Sequence, residues 1–176
     1  MMNRPRKALI TSALAQALQT GRLILGPPTG PRWRSLPATP ESVLRARRFT
    51  ESVLSEVAEI DADHVDDVVL VVSELITNAV REVAKLGPVR DGDRPVHLGV
   101  AVHPRWTHLH AVDPAPTLPR ETHRGLLAGS GQGIPIIKSL AAMMWVDQTA
   151  RCKTIHVVVT RTGVELTDED RQAFRP

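Results

Sequence analysis

The stretch between Asp61 and Pro88 restricts the fold more than any other part of the chain. Val68, Val69, Val72, Leu75, Ile76, Ala79, Val80 and Val83 recur at helical spacing and predict one helix over 62–86. Asp61 caps it, and Asp63, Asp66 and Asp67 load its first turn, where the helix dipole favours negative charge. Gly87-Pro88 stops it. A helix this apolar has to be covered by other elements, and the rest of the chain offers strands. Segments 32–38, 96–104, 107–113, 144–149 and 153–161 read as strands, most plainly where apolar and polar residues alternate. Thr39-Pro40-Glu41 starts a second helix over 40–59, with Thr39 as its hydroxyl cap. A third, over 134–143, tolerates Pro135 in its first turn.

The resulting order is strand, helix, helix, hairpin, long loop, helix, strand, strand. A doubly wound parallel fold would alternate strands and helices. Hairpins with helices grouped apart predict an α+β class instead: a two-layer α/β sandwich with a mixed, mostly antiparallel sheet and helices on one face. The glycines and prolines of GRLILGPPTGPRW separate a short helix over 7–20 from this domain. The organisation is then a basic N-terminal appendage and linker (1–31), the main domain (32–161) and a polar, peripheral tail (162–176).

Charge is uneven. Residues 1–48 hold nine Lys or Arg against Glu41 alone, a formal +8; the remainder holds 13 bases and 18 acids, a formal −5, and the two sum to the net +3. A basic arm can touch nucleic acid, acidic lipid or acidic protein, or can be a solvated extension. With three Trp, two Phe and no Tyr, the chain lacks aromatic platforms for stacking on single strands, so direct nucleic-acid binding is not expected. Trp33, Trp106 and Trp145 lie far apart and read as packing residues. The one cysteine, Cys152, permits no internal disulfide and fits a reducing, cytoplasmic setting. No run of about eighteen apolar residues marks a membrane span, and the start lacks the features of a signal peptide. Of seven His, only His108 and His110 share a strand face, too few converging ligands for a zinc site.

Four segments carry chemistry. Glu74 and Asn78 in VVSELITNAVREV sit one turn apart on one helix face. A carboxylate can take a proton, an amide oxygen can ligate Mg²⁺, and Arg81 one turn on could meet a phosphate. The same pair also suits a plain solvated face. In AGSGQGIPIIKSLA, Gly129, Gly131 and Gly133 precede a helix, where backbone N–H groups can approach an anion. The segment is neither a Walker A loop nor a dinucleotide fingerprint. Asp113 ends a strand, where a buried carboxylate can accept from an amine such as that of adenine. Lys153-Thr154 opens the last strand.

Taken in order, these segments resemble the histidine-kinase/Hsp90-like ATPase superfamily, in particular the anti-sigma-factor serine kinases and their actinobacterial relatives. VVSELITNAVREV is similar to the N-box, VDPAPTLP to the first nucleotide box, GSGQGIPIIKSLA to the second and CKTIHVVV to the terminal Lys-Thr strand. The resemblance implies a Bergerat fold over 32–161, with ATP and Mg²⁺ as cofactors. It implies Glu74 as general base, Asn78 as Mg²⁺ ligand and Asp113 as the adenine partner, with Thr154 acting through water. Gly129, Gly131 and Gly133 would meet the phosphates, joined by Arg81, and Lys153 would also bind the nucleotide. The implied activity is phosphorylation of serine or threonine on an anti-anti-sigma (STAS-type) protein, with a sigma factor as a further partner; the sequence leaves the oligomeric state open, a homodimer among the options. Departures favour the alternative of a catalytically weak or inactive binding module. The usual Asp-x-Gly-x-Gly becomes Asp113-Pro114-Ala115-Pro116-Thr117, and Cys152 stands where a glycine is expected.

Overall fold

The structure, a computed structural model, describes residues 30–57, 59–87, 94–115 and 133–174. The expected helix over 7–20 and most of the loop 114–133 lie outside the described residues. The elements in chain order are β1 (Arg32–Leu36), α1 (Glu41–Ser55), α2 (Ala62–Ala84), β2 (Val96–Val102), β3 (Trp106–Asp113), α3 (Gly133–Leu140), β4 (Met143–Gln148), β5 (Lys153–Thr160) and α4 (Asp168–Ala173). The five strands form one sheet in the order β1-β2-β3-β5-β4. Each of its pairings is antiparallel, so the mixed component expected from the sequence is absent among the described residues. The two-layer α+β sandwich is otherwise as predicted.

Alternation sends one row of each strand toward the helices. Leu98, Val100 and Val102 of β2, Thr107, Leu109 and Ala111 of β3, and Ile155, Val157 and Val159 of β5 are buried in register with one another. Onto this face α2 lays Val68, Val71, Val72, Leu75, Ile76, Ala79 and Val83. Each fully buried Val, Leu or Ile contributes about 1.5–3 kcal/mol, and truncating a central one such as Leu75 to Ala would cost about 2–5 kcal/mol. The α1 helix adds Ala46, Val53 and Leu54, and α3 adds Ile137.

Asp61 caps α2 as expected, accepting from the His64 backbone N–H at 2.8 Å. Thr39 does not cap α1. Pro40 takes the cap position with no side-chain cap hydrogen bond, and the Thr39 carbonyl instead accepts from Ser42 N at 3.0 Å. The tail differs more. Thr167 and Asp170 form a capping box for α4, and Arg105 anchors the segment through Asp170 Oδ2 and the Glu165 carbonyl, both at 2.9 Å. Thr-x-x-Asp was the available sequence signal. Among the described residues, no helix is long and apolar enough to cross a membrane.

His64 ties the start of α2 to the sheet. Its Nδ1 donates to the Thr160 carbonyl at 3.1 Å, which leaves Nε2 to accept from the Thr107 hydroxyl at 2.9 Å. Burial holds this ring below its ordinary value of 6.5. Burial, helped by the charge of Arg105, holds His103 at about 4. When the chain unfolds, both rings take up protons near 6.5; when folded, they resist. Their contribution to stability is therefore complete above 6.5 and is lost as the pH falls from there toward 4. Denaturant unfolding between about pH 7.5 and pH 5 should show a falling free energy, and His103→Gln should flatten the slope. A pH-independent stability across that range would contradict this assignment.

Candidate functional site

The polar stripe of α2 begins with Glu74 and Asn78, both partly exposed beside the buried apolar face of the helix. Asn78 Nδ2 is itself buried and has no hydrogen-bond partner among the described residues. A buried amide left unpaired costs about 1–3 kcal/mol unless a ligand satisfies it. Gly133, the first residue of α3, packs against the same stripe. A Cβ placed on it would come within 2.6 Å of Glu74 Oε2. Glycine is therefore needed for the carboxylate to lie against the first turn of α3, where the helix dipole is positive. Any side chain at 133 would push the Glu74 carboxylate aside.

At the other end of the stripe, the inward rows of β3 and β5 finish in charges. Asp113 and Lys153 face each other across the strands, 1% and 0% exposed, with Nζ 2.8 Å from Oδ2. Lys153 Nζ also donates to the Ala115 carbonyl at 3.0 Å, and the Ala115 N–H donates to Asp113 Oδ1 at 2.7 Å. Burial pushes the Asp113 carboxyl up; Lys153 and the Ala115 N–H pull it back, and Glu82 nearby pushes it up again. The contact at Oδ2 is an ion pair whose angle does not make a hydrogen bond, so that oxygen keeps acceptor capacity.

Glu82 was not singled out from the sequence. Its signal was available: 74, 78 and 82 are successive one-turn steps. Arg81 is exposed on α2. Thr154 does not join Asp113. Strand alternation puts it on the opposite face, in register with Val112 and Asp147, while Lys153 takes the inward position. Gly129 and Gly131 lie outside the described residues. A separate cleft of about 410 Å³ between β1 and α1 gathers Arg32, Arg34, Arg45 and Arg48. There Arg32 pairs with Glu56, and Arg34 lies 5.2 Å over the Phe49 ring.

Breaking a buried ion pair from one side leaves a charge with neither water nor partner. Lys153→Met should therefore cost about 3–5 kcal/mol in urea unfolding. Adding Asp113→Leu should recover most of that loss. A single variant as stable as the parent would show that the pair is not held as described.

A sequence model of the family described as "Histidine kinase-like ATPase domain" matches residues 36–159. No curated protein matches. Among solved structures, that of the RsbU and RsbW domains of a Mycobacterium tuberculosis protein is similar, with a TM-score of 0.55 at 19% identity. The match covers 81% of this chain and 35% of that one, so this chain spans about a third of that structure's length. At this identity the likeness is one of fold. The family match runs from the last residue of β1 to the penultimate residue of β5 and takes in Glu74, Asn78, Asp113, Gly133 and Lys153. The chain belongs to the histidine kinase-like ATPase domain family.

Proposed function

We propose that the chain binds Mg²⁺-ATP along the stripe from Glu74 to Asp113 and acts as an anti-sigma-factor-like protein serine/threonine kinase on an anti-anti-sigma (STAS-type) partner in the cytoplasm. The observation that carries this reading is the buried Asn78 Nδ2, a donor without a partner among the described residues that a ligand oxygen would satisfy, one turn from a Glu74 carboxylate lodged against Gly133. The RsbW domain in the solved structure of similar fold supports placing the chain in the anti-sigma branch, with a sigma factor as a second partner.

In this reading Asn78 would hold Mg²⁺ through its amide oxygen, since this hard cation prefers oxygen. Gly133, with Gly129 and Gly131 ahead of it, offers backbone N–H groups to phosphate oxygens. Arg81 sits at the exposed edge of α2, where a phosphate could reach it. Asp113 accepts from the adenine amine through Oδ2, held in place by Lys153. Bound ATP would supply the transferable phosphoryl group. Glu74 takes the proton of the incoming serine hydroxyl as its oxygen bonds to phosphorus and ADP leaves. A general base of this kind contributes about 10²–10⁴-fold to rate. Because Thr154 faces the other side of the sheet, its role through water would require a path around the strand edge.

One observation favours a second reading, a binding module that regulates a partner by contact alone. Asp113 is already closed in by Lys153 and Ala115, as a domain that has ceased to turn over nucleotide would allow.

Two variants separate these readings. Asn78→Ala should weaken Mg²⁺-dependent ATP binding with little loss of stability. Glu74→Gln, which keeps size and hydrogen bonding but cannot take a proton, should bind ATP and partner normally while losing phosphate transfer from labelled ATP to a STAS-type protein. If the wild type binds a partner but transfers no label to any STAS-type protein of the same organism, the contact reading stands. If Glu74→Gln transfers as fast as wild type, Glu74 is not the base.

A further inference from the structure

The sheet face turned away from α1, α2 and α3 concentrates rings that the sequence scatters. Trp33, Trp106, Trp145, His108, His110 and His156 all point to it by strand alternation. His108 and His110 are two residues apart on β3, and β5 places His156 directly opposite His110. The histidine pair legible in the sequence thus gains the third ligand it lacked, from a strand 46 positions further along.

We propose that His108, His110 and His156 form a binding site for a divalent transition-metal ion, Zn²⁺ foremost, on the outer face of the sheet. The donor atoms of the three rings all lie within 4.8 Å of one another. His108 Nε2 and His156 Nδ1 are already 3.2 Å apart. Three nitrogens on one tetrahedral zinc, each at 2.0–2.1 Å, sit about 3.4 Å from one another. The two closest rings therefore have the required spacing, and the third closes by at most about 1.5 Å, within reach of side-chain rotation. The rings are half-buried, neither sealed from solvent nor splayed into it.

The surroundings also suit a ligand set. Asp147 Oδ2 lies 3.0 Å from His156 Nε2. A carboxylate can only accept, so Nε2 carries the hydrogen, and in the neutral ring the lone pair of Nδ1 is then turned toward His108. A carboxylate behind a ligating imidazole fixes its tautomer and raises its basicity. Trp145 stacks on His156 at 4.6 Å with an interplanar angle of 4°, which fixes the ring plane. Phe174 stands edge-on to His108 at 5.2 Å and borders the cluster on the side of α4. Three imidazoles leave a fourth position for water, the pattern of an open zinc centre. This site is chemically and spatially apart from the stripe of α2: its donors are nitrogen, which Mg²⁺ disfavours, and it lies on the other face of the sheet.

The test is calorimetric titration of the untagged, metal-stripped full chain with Zn²⁺, paired with the visible spectrum of the Co²⁺ form. One ion should bind per chain, and Co²⁺ should show the intense bands of a four- or five-coordinate centre. His108→Gln and His156→Gln keep ring-sized polar side chains and should each weaken binding at least about tenfold. Asp147→Asn should weaken it about 10–100-fold, and His97→Ala, outside the set, should leave it unchanged. Binding that survives in the His108→Gln/His156→Gln double variant would overturn the site, as would a wild type that takes up no Zn²⁺. A Co²⁺ spectrum of the weak, six-coordinate aqua type would overturn it without reference to any variant's folding.

Discussion

The burial of α2 against the inner face of the sheet is the contact on which the rest of the structure depends. The same helix supplies the centre of the core and the polar residues of the candidate site, so neither can move without the other. Its apolar side chains meet the register of β2, β3 and β5, and that register fixes which residues finish each row. The row of β3 runs Thr107, Leu109, Ala111 and ends at Asp113; that of β5 runs back from Val159 to Lys153. A one-residue slip in either strand would turn every one of these side chains to the opposite face. The buried pair Asp113–Lys153 is thus held by the same packing that holds Glu74 and Asn78 in place on α2. Such pairs add little net stability but are costly to break from one side.

Much of this was legible in the sequence, because the elements obey local rules. The stripe of α2, its Asp61 cap and the alternation of β2, β3 and β5 gave the layers. The one-turn step from Glu74 to Asn78 gave the helix half of the site. What sequence could not give depends on side-chain direction and on distant pairing. Lys153 and Thr154 are adjacent, and only the strand register decides that Lys153 faces Asp113 while Thr154 faces outward. Glu82 continued a visible spacing but gained meaning only when β3 brought Asp113 beside it. Thr39 looked like a cap, yet the first turn of α1 begins at Pro40 with no side-chain cap, and the Thr39 carbonyl serves Ser42 instead.

The two faces of the sheet divide the chemistry. The inner face carries aliphatic side chains and ends in a carboxylate and an amine; the outer face carries imidazoles and indoles. Trp33 lies across Gly99, where a Cβ would come within 2.9 Å of its ring, and its centroid is 5.5 Å from that of His110. The glycine on β2 therefore makes room for an aromatic beside the histidine cluster. A sequence poor in aromatics has spent most of them on one surface, an arrangement that composition alone could not reveal.

The central claim, that a nucleotide lies along α2 with its base at Asp113, is tested most directly by comparing ATP with GTP. Asp113 Oδ2 can accept from the exocyclic amine of adenine but would face the carbonyl oxygen that guanine carries at the same place. Calorimetric titration of the wild type with each nucleotide in the presence of Mg²⁺ should show ATP bound more tightly by about 1–3 kcal/mol, the cost of a buried hydrogen bond left unmade. Equal affinity for the two nucleotides, or no measurable affinity for either, would contradict the account.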